Sequence, residues 1–436
     1  MRHTPSLGHF QTGSAPRLTW LAGAIVWLLL AGCNRSAIVT PTPVSAPPSV
    51  ATAAPIPART DLVPAARQLV VWMPPFGNPL DDDRAGAVFG DAFRQFERDH
   101  PGVNIDVHVK AERGPASLLT YLRSAQQVAP AVLPDLVLIN TQDLWQIADL
   151  GLVPTLVPGE IRNDGFYAFA LSAVTYRNQT FGIPYAADIV MAAYDPTRLP
   201  TAPRTWSDLL AGDVWLLFPT GPDTDAATVT LLQYVGAGGR LTEDGTLTDP
   251  DALEALFDFI TTAQADGLIP PELVDLATFD AVWRAYLGAR PEITSLVITG
   301  YHQAATVGGD VAYAPVPTQA GGTITVAATW AFAVLTQEDD RRHLALALVD
   351  ELLTPEVLGA WSRQAQRLPS RPGALSTWPA TDNLTAYLGR QLTAAVALPN
   401  GRAFTDFAAD IQTAQTDLLR GRLSVNEALQ TVASHP

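Results

Sequence analysis

The sequence predicts an α/β fold with parallel sheet in two domains. Uninterrupted apolar segments such as Leu69-Val70-Val71-Trp72-Met73 and Leu136-Val137-Leu138-Ile139 read as strands covered on both faces, the habit of parallel sheets. Helix-period segments alternate with them in a β-α-β-α-β-α order. With 47% hydrophobic and 16% charged residues, the chain is composed to fold rather than stay disordered. At about 100–200 residues per domain, Gln68 to Pro436 is expected to hold two domains.

The chain begins with Arg2 and Arg17, an apolar run from Leu18 to Leu30, and then Ala31-Gly32-Cys33. Basic, apolar and small residues in that order form a secretory signal. The run is shorter than the roughly 20 residues a spanning helix needs. Cys33 is the only cysteine, and its place after the small pair resembles a bacterial lipoprotein signal. That resemblance implies removal of residues 1–32 and acylation of Cys33. No cysteine then remains for a disulfide. Residues 33–67 are rich in Pro, Ala, Ser and Thr and read as a semi-stiff spacer.

Charge narrows the partners. The formal net charge is −16, and loss of Arg2 and Arg17 with the signal takes it to −18. Such a chain repels nucleic acid and anionic lipid. Lys110 is the only lysine, and no function is drawn from that.

The body opens on the Leu69–Met73 strand, ended by Pro74-Pro75. Phe89, Phe93 and Phe96 lie at i, i+4, i+7 and mark an amphipathic helix, stopped by Pro101-Gly102. Val103, Ile105, Val107 and Val109 alternate with polar residues and mark a strand. A helix over about 116–128 precedes the Leu136–Ile139 strand. Thr141 is expected to cap the next helix, which Gly151 ends. Later come a short strand at 215–218, a helix from Asp249-Pro250 to Gly267, a helix at 279–287 and strands at 295–299 and 327–335. Helices follow at 344–353, from Pro355, at 404–420 and at 425–433.

Several stretches then match a known pattern in order. They are Pro134-Asp135-Leu136-Val137-Leu138; Tyr176-Arg177-Asn178-Gln179 through Gly182-Ile183-Pro184-Tyr185; Tyr194-Asp195; Pro203-Arg204-Thr205-Trp206-Ser207-Asp208-Leu209; and Gly421 through Ser424, Glu427-Ala428-Leu429. In the second, Asn178-Gln179 stands where Gly-Lys is usual. Over Leu69 to Ala433 the chain resembles the extracellular solute-binding proteins of ABC importers, family 1, the group that includes maltose-binding protein. The resemblance implies a two-lobed periplasmic-binding-protein-like fold (type II), with parallel-sheet lobes joined by crossover hinge strands. Residues 68–188 and 322–378 would form the N-terminal lobe, and 189–321 and 379–436 the C-terminal lobe. Ligand would sit in the cleft between them.

Candidate ligand contacts are the polar and aromatic residues just after strand ends, because open α/β sheets bind there. Aromatic faces cover sugar C–H surfaces, and carboxylates and amides bind hydroxyls. Phe76 and Asn78 follow the first strand and read equally as an ordinary turn. Asn140 and Gln142 follow the Leu136 strand, with Thr141 between them either a contact or only a cap. Tyr185 and Asp188 lie in an apolar stretch where a carboxylate is costly unless used. By the resemblance Asp188 is a ligand carboxylate, and the alternative is a hinge hydrogen bond. Thr220 and Asp223 follow the Trp215 strand. Tyr301 resembles the family's Gly-x-Trp element, with Tyr for the stacking Trp. Trp330 and Phe404 are further stacking candidates, although Trp330 also reads as core. Arg371 reads as solvated and Trp206 as structural.

No H-E-x-x-H, G-x-S-x-G or phosphate-binding loop is present. The seven histidines show no ligand spacing, and Asp81-Asp82-Asp83 lacks the Gly and Glu of an EF-hand loop. The expectation is a monomeric, lipid-anchored, extracytoplasmic binding component of an ABC importer. It would hold a sugar or oligosaccharide, deliver it to the permease subunits, and need no metal or cofactor. The alternatives are a non-sugar solute, such as a polyamine or glycerol-phosphate ester, and a surface glycoside-processing enzyme.

Overall fold

Strand β1 (Arg67–Met73) pairs in parallel with β2 (Val103–Val109) and β3 (Leu136–Asn140). The other strands are β4 (Thr175–Tyr176), β5 (Gln179–Thr180), β6 (Ile183–Tyr194), β7 (Trp215–Leu217), β8 (Ser295–Gly300), β9 (Ala312–Ala314), β10 (Thr325–Val334), β11 (Leu368–Pro369) and β12 (Ala395–Ala397). The structure, a computed structural model, describes residues 67–433 apart from 82–83, 162–164, 290–291, 308–310 and 380–382. The leader, Cys33, the spacer up to residue 66 and most of the Asp81-Asp82-Asp83 run lie outside the described residues.

The main sheet runs β2-β1-β3-β10-β6-β8-β7. It is mixed rather than purely parallel. The pairs β1·β2, β1·β3, β7·β8 and β10·β12 are parallel, whereas β10 and β6 run antiparallel to each other and to β3 and β8. The reason is that β6 and β10 each pass from one half of the molecule to the other, in opposite senses.

Side-chain packing shows the passage. Leu69, Val71, Leu136 and Leu138 face one core with Phe89, Phe93 and Phe96 of the helix Arg84–Asp99. Trp72, Val137 and Ile139 face a second core on the opposite side of the same strands. The continuous apolar runs are therefore covered on both faces. A third core holds β7, β8 and the C-terminal helices Arg402–Leu419 and Val425–Ala433, and it also draws in Tyr167 and Phe169. Along β6, Ile183 and Tyr185 belong to the first core, and Ile189 to Ala193 to the third. Its pairing changes from β10 to β8 between Ile189 and Val190. In β10, Val326 packs in the third core and Phe332 in the first. The short β11 crosses beside β6 at Ala186 and Ala187. The register of β10 against β6 slips between Trp330 and Ala331, leaving Tyr185 as the extra residue on β6 beside Pro184, which has no N–H to offer the ladder.

The stretches that carried the family resemblance have local structural roles. The Asp135 carboxylate, buried at the start of β3, accepts from the Val70 N–H at 2.9 Å and pairs with Arg341 at 3.1 Å. Thr205 and Asp208 form a capping box on the helix Trp206–Ala211. Trp206 stacks on Phe259 at 4.7 Å and donates to Gln233. Glu427 accepts from the Ser424 N–H and hydroxyl at 2.8 and 2.7 Å. The β4–β5 hairpin turns at Arg177 (φ 48°) and Asn178 (φ 59°). Two positive φ values make the primed turn that suits a two-residue hairpin, and Asn tolerates the left-handed region where the family usually has Gly.

Candidate functional site

The three crossing segments form the floor of a cleft of about 930 Å³, with walls from both halves. Asn140, Gln142, Asp188 and Trp330 line it. Asn140, not Thr141, caps the helix Thr141–Asp149: its Oδ1 accepts from the Gln142 N–H at 2.8 Å. Asn140 has the extended backbone a cap needs, while Thr141 is already helical and its side chain is buried. The Gln142 amide reaches the carbonyl of Leu398 on the opposite wall at 3.5 Å.

Asp188 makes the structural hydrogen bonds that one reading of its position allowed, and its side chain also lines the cleft. Its Oδ1 accepts from the N–H groups of Ile189 at 2.9 Å and His302 at 3.1 Å, tying β6 to the start of the helix Tyr301–Val307. Its Oδ2 faces Gly300, where an added Cβ would fall 2.9 Å away. Oδ2 accepts no hydrogen bond from a described residue. Burial pushes the Asp188 carboxyl up, and the nearby Arg367 guanidinium and His302 oppose that rise. Burial and the Arg367 charge push His302 down, toward the neutral ring.

The other sequence candidates fall elsewhere. Tyr185 is a core residue: its ring packs 4.9 Å from Trp361, 5.0 Å from Phe332 and 5.6 Å from Phe89, with no exposure. Thr220 is fully buried, and its carbonyl accepts from the Thr416 hydroxyl. Phe404 lies in the third core beside Phe407. Tyr301 also turns into that core, while the next residues, His302 and Gln303, face the cleft. Phe76 stands behind the cleft, edge-on to Trp330 at 5.6 Å. Asn78 closes a turn, accepting from the Leu80 N–H and donating to Asp81, and does not line the cleft. Asp223 caps the helix Thr224–Gly236 at the rim. Arg371 is half-buried, with its guanidinium 4.2 Å above Phe166.

Sequence reasoning missed most of the charged wall. Glu112, Arg113, Asp143, Asp225, Asp280 and Arg367 all line the cleft. Arg113 reaches across it to Asp223 at 3.4 Å and Asp225 at 3.6 Å. Asp225 also accepts from the Phe279 N–H at 2.9 Å, and burial pushes its carboxyl up. Burial raises Asp143 to about 6, against the pull of Arg123 and Arg113. Glu112 accepts from the Trp330 indole N–H at 3.0 Å. The Arg367 guanidinium lies 4.2 Å above the Trp330 ring and 4.5 Å above Phe76. The arrangement offers acceptors, fixed donors and the aromatic surfaces of Trp330 and Phe279 to a polar solute.

A family profile described as bacterial extracellular solute-binding protein matches residues 91–388. No curated protein matches the chain in sequence. Solved structures match in fold. A cyclic α-maltosyl-1,6-maltose binding protein from Arthrobacter globiformis gives a TM-score of 0.69 at 18% identity, over 84% of this chain and 97% of that one. Maltose-bound MalE3 of T. maritima gives 0.66 at 15% identity, over 84% and 98%. An ABC transporter solute-binding protein of Thermotoga lettingae bound with α-D-tagatose gives 0.65 at 17%, over 84% and 98%. At these identities the likeness establishes the two-lobed α/β fold. With the cleft on its crossing strands and the profile spanning most of the body, the chain belongs to the bacterial extracellular solute-binding proteins, whose place is outside the cytoplasm.

Proposed function

We propose that this protein is the lipid-anchored binding component of an ABC importer and that it captures a sugar or oligosaccharide in the cleft. The cleft floor carries this reading. A carboxylate with one oxygen committed to the fold and the other taking no hydrogen bond from a described residue lies beside an indole and a guanidinium. Sugar hydroxyls need acceptors and donors side by side, and sugar C–H faces need an aromatic surface. Relatives in fold that bind maltose, a cyclic maltosyl-maltose and tagatose support the same class. Residues 68–188 with 322–378 and 189–321 with 379–436 act as the two lobes. Strands β6, β10 and β11 act as the hinge, so that ligand draws the walls together. Acylation at Cys33 holds the body at the membrane, where the closed form meets the permease. The protein binds and does not turn its ligand over.

Asp143, Asp225 and Asp280 on the wall favour a second reading, a cationic solute such as a polyamine. A thermal-shift panel separates the two. Ligand at a hundredfold excess over Kd stabilises the folded state by about 2.7 kcal/mol. At least one neutral mono- or oligosaccharide should raise the melting temperature. A rise with spermidine or glycerol 3-phosphate and with no sugar overturns the sugar reading.

A further inference from the structure

Arg367 is the least expected group in the cleft. The residue is only 7% exposed, yet it lines the cavity. Its Nε is buried with no acceptor. Its guanidinium carbon lies 4.2 Å from the Trp330 ring centre and 4.5 Å from that of Phe76, two rings set at 82° to each other, so the cation is held between two aromatic side chains. A buried cation with an unsatisfied donor is costly to the fold, and the Asp188 and Glu112 carboxylates offset only its charge, since neither accepts a hydrogen bond from it. The terminal nitrogens of Arg367, unlike Nε, are not sealed from the cavity and bond no described residue, so an acceptor entering the cleft would meet them.

We infer that Arg367 is a ligand-binding residue that donates hydrogen bonds to the hydroxyl oxygens of an uncharged sugar, next to the second carboxylate oxygen of Asp188. This rests on the sugar reading of the cleft and adds the chemistry of its floor. Glu112 and Asp188 are the carboxylates that act on Arg367, and both line the same cavity. An anionic ligand placed at the guanidinium would meet those two carboxylates. A protonated amine has no lone pair and cannot accept from Arg367. A hydroxyl does both jobs: its oxygen accepts from the guanidinium while its own O–H donates to a carboxylate. Two neighbouring hydroxyls on one ring satisfy the donor and the acceptor together. Arg367 thus selects for neutral polyols and against the cations that the acidic wall would otherwise admit.

The test uses Arg367→Met and Arg367→Lys in the full chain, melted with and without maltose, maltotriose, tagatose, spermidine and glycerol 3-phosphate. Methionine keeps an apolar stem against Trp330 and removes the unsatisfied cation. The ligand-free Arg367→Met protein should therefore melt close to the wild-type temperature, relief of the buried donor offsetting the loss of the charge opposite Asp188 and Glu112. Its affinity for whichever of these sugars shifts the wild type should fall about tenfold to a hundredfold. Arg367→Lys keeps the charge without the planar fork and should also bind the sugar more weakly. Wild-type sugar affinity in both variants, or early melting of Arg367→Met with intact binding, would make Arg367 a structural brace and leave the sugar reading standing. A wild type that responds only to spermidine or only to glycerol 3-phosphate would sink the sugar reading and this inference with it.

Discussion

Asp188→Asn separates hinge from ligand contact at a single atom. The carboxylate lines the cleft, with one oxygen bound to the Ile189 and His302 N–H groups and the other taking no hydrogen bond from a described residue. Asparagine keeps an acceptor for the two backbone donors and places an NH₂ where the other oxygen stood. The fold therefore loses little. Because burial raises the Asp188 carboxyl in the folded state, the ionised form opposes folding above the ordinary carboxylate range. Removing the charge should leave the ligand-free melting temperature unchanged or higher at neutral pH. Binding loses a charge-assisted hydrogen bond, worth about 1.5–3 kcal/mol. Each 1.4 kcal/mol is a factor of ten, so affinity should drop roughly tenfold to a hundredfold. The assay is a pair of measurements on the same preparation, a ligand-free melt and a fluorescence titration with the sugar that stabilises the wild type. Early melting with unchanged affinity would refute the reasoning and leave Asp188 a hinge residue only.

Other outcomes follow from the same geometry. Asp143 is raised by burial from 3.8 to about 6, so the folded state holds its proton more tightly than the unfolded chain, and stability falls as pH rises from about 4 to about 6. Asp143→Asn should remove that fall, an upper value of about 3 kcal/mol, and raise the melting temperature at pH 7; equal slopes of melting temperature against pH in both proteins would exclude it. Trp361, fully buried against Phe89 and Tyr185, should cost about 3–5 kcal/mol as Trp361→Ala, read as a lower urea midpoint; a loss under 1 kcal/mol would mean that the first core refills. On the proposed acylation of Cys33, Cys33→Ala should move the protein from the washed membrane fraction to the soluble one, because it removes the thiol that would carry the acyl chains; full retention would place the anchor elsewhere.

Much of the fold was legible in the sequence because its signals are local. The phenylalanine spacing of Arg84–Asp99, the apolar run of β3 and the Asp249-Pro250 helix start each depend on neighbours a few residues away. The helix Thr224–Gly236 was not legible, because Ala226, Val229, Leu231, Leu232 and Tyr234 are buried around most of its circumference and leave no polar stripe. The stretches that revealed the family are caps and pins, so they named the fold and said little of the cleft. Asp188 was readable as a carboxylate in an apolar stretch. Tyr301 and His302 show why neighbouring positions were not: one residue of rotation at the start of a helix sends the first into the core and the second to the cleft. Tyr185, Thr220 and Phe404 follow the same logic, since a position near a strand or helix end does not say which way the side chain turns. Arg367 was invisible in Gln366-Arg367-Leu368, because its burial comes from Trp330 and Phe76, which are remote in the chain.

A calorimetric titration of the wild-type protein with the neutral sugar that gives the largest thermal shift tests the central claim most directly. Saturation at one sugar per chain, with the sugar recovered unchanged, is the predicted result. Saturation by spermidine or glycerol 3-phosphate in place of every neutral sugar, or a sustained heat with cleaved sugar in the cell, would contradict it.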